Sequence, residues 1–294
     1  MTRYAVVTGI AAAAFIAIAA PAAAQDARLV AAQLIAADRA FSTAGAKANI
    51  VDSIGSMLTE NAVMPTPKLD FAIGRSAIVE TLKANPANAN ATAEWSPVRA
   101  GISGDGTQGF TYGFMFIHEA GKPDRRAKYL SYWVKRPEGW RVAFYKRAPG
   151  AEGSMTSRLD PAVPEELVEP NPQRLQENLA SLKAAEQAFS DRAQEVGVGP
   201  AFLEFGSEDA MNMGIGSDFT FGNTAIAKLV GEGNTTPITW GPDKGALVAS
   251  SGDLGVTWGF IRPKQPKAGE PAAIPFFTVW RKAAPDQPWR YIAE

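Results

Sequence analysis

From residue 37 onward this chain contains itself twice, and that duplication narrows its fold more than any other feature. Ala37, Ala40, Phe41 and Ser42 recur 148 positions later as Ala185, Ala188, Phe189 and Ser190. At the same spacing Asp70-Phe71 matches Asp218-Phe219, Gly74 matches Gly222, and Ala77-Ile78 matches Ala225-Ile226. Further on, Trp95 answers to Trp240, Thr111-Tyr112-Gly113-Phe114 to Thr257-Trp258-Gly259-Phe260, Trp133 to Trp280, and Trp140-Arg141 to Trp289-Arg290. Three matched pairs use six of the seven tryptophans, so coincidence is a poor explanation. Such a chain is expected to fold as two copies of one unit. The units fall at 27–147 and 173–294. Between them, 148–172 carries Pro149, Pro161, Pro164, Pro170 and Pro172 among small and acidic residues, the composition of a linker.

Each copy repeats one order of elements. Apolar residues at helical spacing (Leu29, Ala32, Leu34, Ile35, Phe41; then Leu175, Leu179, Leu182, Ala185, Phe189) predict a long opening helix. A second helical stretch, a short strand near Val63 or Met211, and a turn through Gly74 or Gly222 follow. Ser76 and Thr224 are placed as N-caps of a third helix. The rest of each copy is strand-like, with aromatic and β-branched runs separated by glycine and proline turns. Helices first and antiparallel strands afterwards define an α+β unit. In the strand 111–118 both faces are largely apolar, which a sheet with one wetted face does not require. The two copies are therefore expected to pair through their sheets as an intramolecular pseudo-dimer.

The first residues carry a different signal. Arg3, an apolar run over 5–20, and Pro21 followed by Ala22, Ala23 and Ala24 read as a cleavable secretory signal peptide at 1–24, with cleavage near Ala24. A membrane anchor is the rival reading, but the run is short against the roughly 20 residues a spanning helix needs. The mature protein is expected to be periplasmic or secreted, with no membrane association after cleavage. With 29 basic and 30 acidic residues the chain has no electrostatic footprint for nucleic acid. The absence of cysteine and a single histidine exclude thiol catalysis and thiolate metal sites, and neither a metal nor a cofactor is expected. Gly104, Gly106 and Gly109 spell a dinucleotide-like glycine pattern, but a strand follows them where that motif needs a helix.

The element order, together with SGDG…TYGF…YWVKRPEGWRV in the first copy and SGDLGVTWGF…FTVWRKAAPDQPWRY in the second, resembles the SnoaL-like, ketosteroid-isomerase-like (nuclear transport factor 2-like) superfamily, in an uncharacterised branch. The resemblance covers about 37–147 and 185–293. It implies two tandem cone-shaped α+β barrels, each with a pocket between sheet and long helix. Its motifs are packing and turn residues, specific for fold and silent on chemistry.

Enzymes of that superfamily place a carboxylate, often with tyrosine or histidine, in an apolar pocket, where burial raises its proton affinity. Asp38 and Glu186 recur in the opening helices but flank an apolar stripe and read as a solvated face. Asp70 and Asp218 sit at a turn, and Glu60 and Glu208 at a helix end. His118 shares a strand face with Tyr112, and with Tyr132 it makes the one candidate acid–base set. The candidate ligand-binding residues are Trp95, Tyr112, Phe114 and Arg141 in the first copy and Trp240, Trp258 and Arg290 in the second. Two functions fit: a non-catalytic module for a small apolar or amphipathic ligand, or an isomerase, lyase or hydrolase with one active pocket in the first copy.

Overall fold

The computed structural model describes residues 26–150, 159–214, 216, 218–231 and 236–294; the expected signal segment at 1–24 lies outside them. The first unit opens with α1 (Ala27–Gly45) and α2 (Ile50–Met57), then β1 (Leu58–Pro65), β2 (Phe71–Ile73) and α3 (Arg75–Lys83). Four long strands complete it: β3 (Ala91–Ile102), β4 (Gln108–Glu119), β5 (Arg125–Arg136) and β6 (Gly139–Pro149). The second unit has α4 (Leu175–Val196), α5 (Val198–Phe205), β7 (Gly206–Asn212), β8 (Thr220–Phe221) and α6 (Asn223–Val230). Its sheet ends with β9 (Ile238–Thr239), β10 (Gly245–Val248), β11 (Leu254–Pro263), β12 (Ile274–Arg281) and β13 (Arg290–Ala293).

The two sheets have one topology. Their orders are β2-β1-β6-β5-β4-β3 and β8-β7-β13-β12-β11-β10, with β9 added against β11. In both, the strand after the second helix pairs parallel with the last strand (β1 with β6, β7 with β13), and every other pairing is antiparallel. The tandem α+β architecture expected from the duplication is the one observed.

Local chemistry explains the element ends. Asp26 caps α1 by accepting from Arg28 N at 2.8 Å, and Asn49 caps α2 by accepting from Val51 N at 2.8 Å. The third helix of each unit differs from the sequence expectation: its cap is Gly74 or Gly222, at φ 92° and 84°, and neither Ser76 nor Thr224 serves. The chain must reverse there while its N–H still bonds back to Ala62 O or Ala210 O, both at 2.8 Å. Only glycine takes that φ without strain, which accounts for its recurrence.

Strand alternation divides the interior into three cores. Thr111, Met115, Tyr129, Trp133 and Tyr145 face α1 within the first cone, while Phe189, Phe276, Trp280 and Tyr291 fill the second. The opposite faces meet each other. Phe110, Tyr112, Phe114, Leu130, Tyr132 and Phe144 of the first sheet pack on Val256, Phe277 and Val279 of the second and on Phe219, just before β8. Phe144 sits 4.7 Å from Trp258 and 5.7 Å from Phe277, ring centre to ring centre. The halves form a pseudo-dimer, and both faces of the strand 111–118 are apolar because both are buried.

The serine-glycine-aspartate motif is an interdomain clasp. Asp253 accepts from Gly104 N at 3.0 and 2.9 Å, and reciprocally Asp105 Oδ2 accepts from Ser251 N at 3.1 Å and Ser250 Oγ at 2.8 Å. Each aspartate is also held by its own serine, Ser103 or Ser251. A side chain on Gly104 would press on Asp253 Oδ2 at 3.3 Å, so the glycine permits the approach. Truncating Asp253 to alanine strands the buried Gly104 N–H, and a loss of about 2 kcal/mol is expected in urea unfolding. An unchanged midpoint would show that the clasp contributes nothing.

From Leu159 onward the connecting segment is docked on the first unit. Ile102 N donates to Ala162 O at 3.0 Å and Ala162 N to Ala100 O at 2.9 Å, a parallel bridge along the edge strand β3. Arg99 reaches across from β3, donating to Asp160 O and Asp209 O, both at 2.9 Å, and to the Asp209 carboxylate.

Candidate functional site

Each long helix carries one carboxylate into its cone, where the sequence reading had put a solvated face. Asp38 follows Leu34, and Glu186 follows Leu182, by four residues, so each lies on the buried stripe of its own helix. Both are wholly buried. Asp38 Oδ1 accepts from Trp95 Nε1 at 2.6 Å and Oδ2 from Tyr129 Oη at 2.8 Å. Glu186 Oε1 accepts from Trp240 Nε1 at 2.9 Å, and Oε2 from Thr257 Oγ1 and from Trp280 Nε1 at 3.0 Å. One turn further along each helix, Ser42 Oγ accepts from Trp95 N at 2.6 Å and Ser190 Oγ from Trp240 N at 3.2 Å. With Trp133 Nε1 donating to Thr111 Oγ1 at 2.8 Å in the first cone, carboxylate, serine, threonine and two tryptophans recur as one constellation binding the helix to the sheet.

Burial sets the electrostatics. It pushes Asp38 from the ordinary 3.8 up to about 6, against the opposing pull of hydrogen bonds from Trp95, Tyr129 and Thr111. It pushes Glu186 from 4.5 up to about 7, with the nearby Glu294 adding to the rise. Both acids exchange protons near neutrality, the property a general acid–base group needs.

The copies differ in one position with a spatial consequence. Tyr129 pairs with Gly113 across the first sheet, and Phe276 with Gly259 across the second. The first carboxylate therefore gains a phenol that the second lacks. Beside Glu186 lies a cavity of about 30 Å³ walled by Phe189, Phe202, Trp240, Phe276 and Glu294. That is room for about one or two water molecules. Asp38 lines neither this cavity nor the surface clefts described below.

The residues singled out from the sequence are dispersed. His118, at the end of β4, is partly exposed, with Nδ1 2.8 Å from Asp124 Oδ1 and Nε2 3.6 Å from Glu94 Oε1. Tyr112 and Tyr132 face the other sheet: Tyr112 lies 5.3 Å from the Phe219 ring, and Tyr132 Oη donates to Gln108 Oε1 at 2.6 Å. These three share no pocket. Phe114 and Trp258 also sit between the sheets, against Phe219 and Phe144. Trp95 and Trp240 do belong to the buried sites, as the donors to the two acids. Arg141 lies over the Phe41 ring at 5.5 Å, and Arg290 lines an open cleft of about 380 Å³ with Arg281, Glu204 and Glu208. Sequence reasoning missed the two carboxylates, both threonines and Tyr129. The available signal was that Asp38 and Glu186 keep the 148-residue offset of Ala37/Ala185 and Phe41/Phe189 in the same helices.

The fold is a tandem pair of α+β units with one shared sheet topology. No family model matches the chain, and no curated protein does. Solved structures do match part of it. A ketosteroid isomerase-like protein from Erwinia carotovora atroseptica aligns at 16% identity over 41% of this chain and 96% of its own, with a TM-score of 0.34. An NTF2-like protein with a cystatin-like fold from Novosphingobium aromaticivorans aligns at 13% identity over 43% and 84%, with a TM-score of 0.33. A protein from Catenulispora acidiphila in complex with S-DNPA aligns at 18% identity over 40% and 90%, with a TM-score of 0.30. Among the described residues no helix is long and apolar enough to cross a membrane.

Proposed function

We propose that this chain is a non-catalytic binding protein, carried out of the cytoplasm by residues 1–24, in which the buried acids hold helix to sheet. One observation carries the reading. The buried carboxylates are engaged by two or three donors each, and the cavity beside Glu186 has a volume of about 30 Å³, far below the roughly 300 Å³ at which small-molecule pockets begin. Native mass spectrometry of the full chain, purified from its natural compartment, tests it. The expected result is a polypeptide beginning at Gln25 that retains a small ligand, with the same ligand kept by the Asp38→Asn variant. Ligand loss in that variant would return the binding function to the cone.

A second reading has one observation in its favour. Glu186 and Glu294 wall the same cavity and burial raises both, Glu186 to about 7, so the second cone rather than the first holds a buried carboxyl pair suited to proton transfer. Turnover of any retained compound that disappears in Glu186→Ala, with the fold intact, would establish this alternative.

A further inference from the structure

The second unit closes one side of a cleft that the first unit alone would leave open. The floor of the cleft is β6, at Lys146 and Arg147. One wall is the β1–β2 turn with Leu69, a second is the end of α3 with Leu82, and the third is the start of β12, with Ile274 and Pro275. Its volume is about 350 Å³, and it shares Thr66, Pro67, Thr81 and Asn85 with a shallower depression of about 640 Å³. This is the size range of small-molecule sites.

Three features of the lining agree on a ligand. First, the charged side chains in the cleft wall are both basic, with no carboxylate among them. Arg147 is fixed by donating to Asn88 Oδ1 at 3.0 Å, while the Lys146 ammonium lies 4.5 Å above the Phe277 ring and donates to Phe277 O at 3.2 Å. Burial lowers Lys146 to about 8, with Glu294 pulling the other way, so the amine still carries its proton at neutral pH. Second, two large apolar residues of the lining, Leu69 and Ile274, are exposed at 40% and 43%. Third, the wall contains Met64, Pro65, Pro67, Leu82 and Pro275 but no aromatic ring, so it offers contact to an alkyl chain and no stacking platform.

We propose that this interdomain cleft binds an aliphatic carboxylate, its chain between Leu69 and Ile274 and its carboxylate on Lys146. The proposal rests on the binding-protein reading and supplies its ligand class. A neutral alkane would leave the cations unused, and an aromatic acid would find nothing to stack on. The site exists only in the paired fold, since Ile274 and Pro275 come from the second unit.

Calorimetric titration of the full chain with sodium octanoate, and separately with 1-octanol, tests it. Octanoate is expected to bind saturably, and Lys146→Met to weaken it by about tenfold or more, the loss of one charge-assisted contact. Lys146→Arg should keep most of the affinity, and 1-octanol should not distinguish the parent from Lys146→Met. Ile274→Asp, at an exposed wall position, should abolish octanoate binding while leaving cooperative unfolding intact. Absence of saturable octanoate binding, or binding indifferent to both substitutions, overturns the proposal. If a different ligand is then found retained by native mass spectrometry, the cleft assignment falls and the binding-protein reading stands.

Discussion

At pH 8 the Asp38→Asn variant is expected to be more stable than the parent by about 3 kcal/mol, and near pH 3.5 the two should unfold together. The parent carboxyl has a folded value of about 6 against an ordinary 3.8, so between those limits the native state binds more protons than the unfolded chain. Its contribution is fully present below about pH 3.8 and is lost as pH rises through 6. An amide at position 38 carries no charge to bury, yet its oxygen still accepts from Trp95 and its nitrogen donates to the Tyr129 oxygen. Glu186 acts in the same direction between 4.5 and about 7. Asp105 and Asp209 sit below the ordinary value and work the other way, at lower pH. Urea unfolding of both proteins from pH 3.5 to 8 checks this, and parallel curves would mean that Asp38 is solvated when charged.

Separating the halves should have a still larger effect. Residues 27–150 expressed alone would expose Phe110, Tyr112, Phe114, Leu130, Tyr132 and Phe144, one continuous apolar sheet face. Sedimentation should find this fragment self-associated or aggregated, and mixing it with 159–294 should recover a soluble 1:1 complex. Within the intact chain, Phe144→Ala should cost about 3–5 kcal/mol, because a ring fixed against Trp258 and Phe277 leaves a hole that neither sheet can close. A monomeric, cooperatively folded first half would remove the pairing from any account of stability.

Much of the fold was legible because duplication doubles every signal. Apolar spacing placed the long helices, and a strand apolar on both faces pointed to sheet-on-sheet pairing. The candidate site was far less legible. Asp38 stands beside Arg39 and Glu186 beside Gln187, so local polarity masked acids that point inward. Nothing near them in sequence reveals their partners, since Trp95 and Tyr129 arrive from strands 57 and 91 residues away. Conversely, His118 attracted attention as the sole imidazole, yet it ends a strand at the partly exposed surface, beside Asp124 and Glu94. The helix caps misled for a related reason: serine and threonine are the usual caps, but the backbone reversal at Gly74 and Gly222 outranked them.

The docked connector settles which halves marry. Val168 N reaches Gly104 O at 2.8 Å, Val163 O receives Arg281, and Leu159 N meets Val98 O at 3.0 Å, so the strap touches both units on its way between them. A tether laid down in this manner holds the second cone at high local concentration beside its own first cone, and exchange with a neighbouring molecule is disfavoured. It also covers residues 98–102 of the outer strand β3, part of a border from which strand-by-strand polymerisation could start.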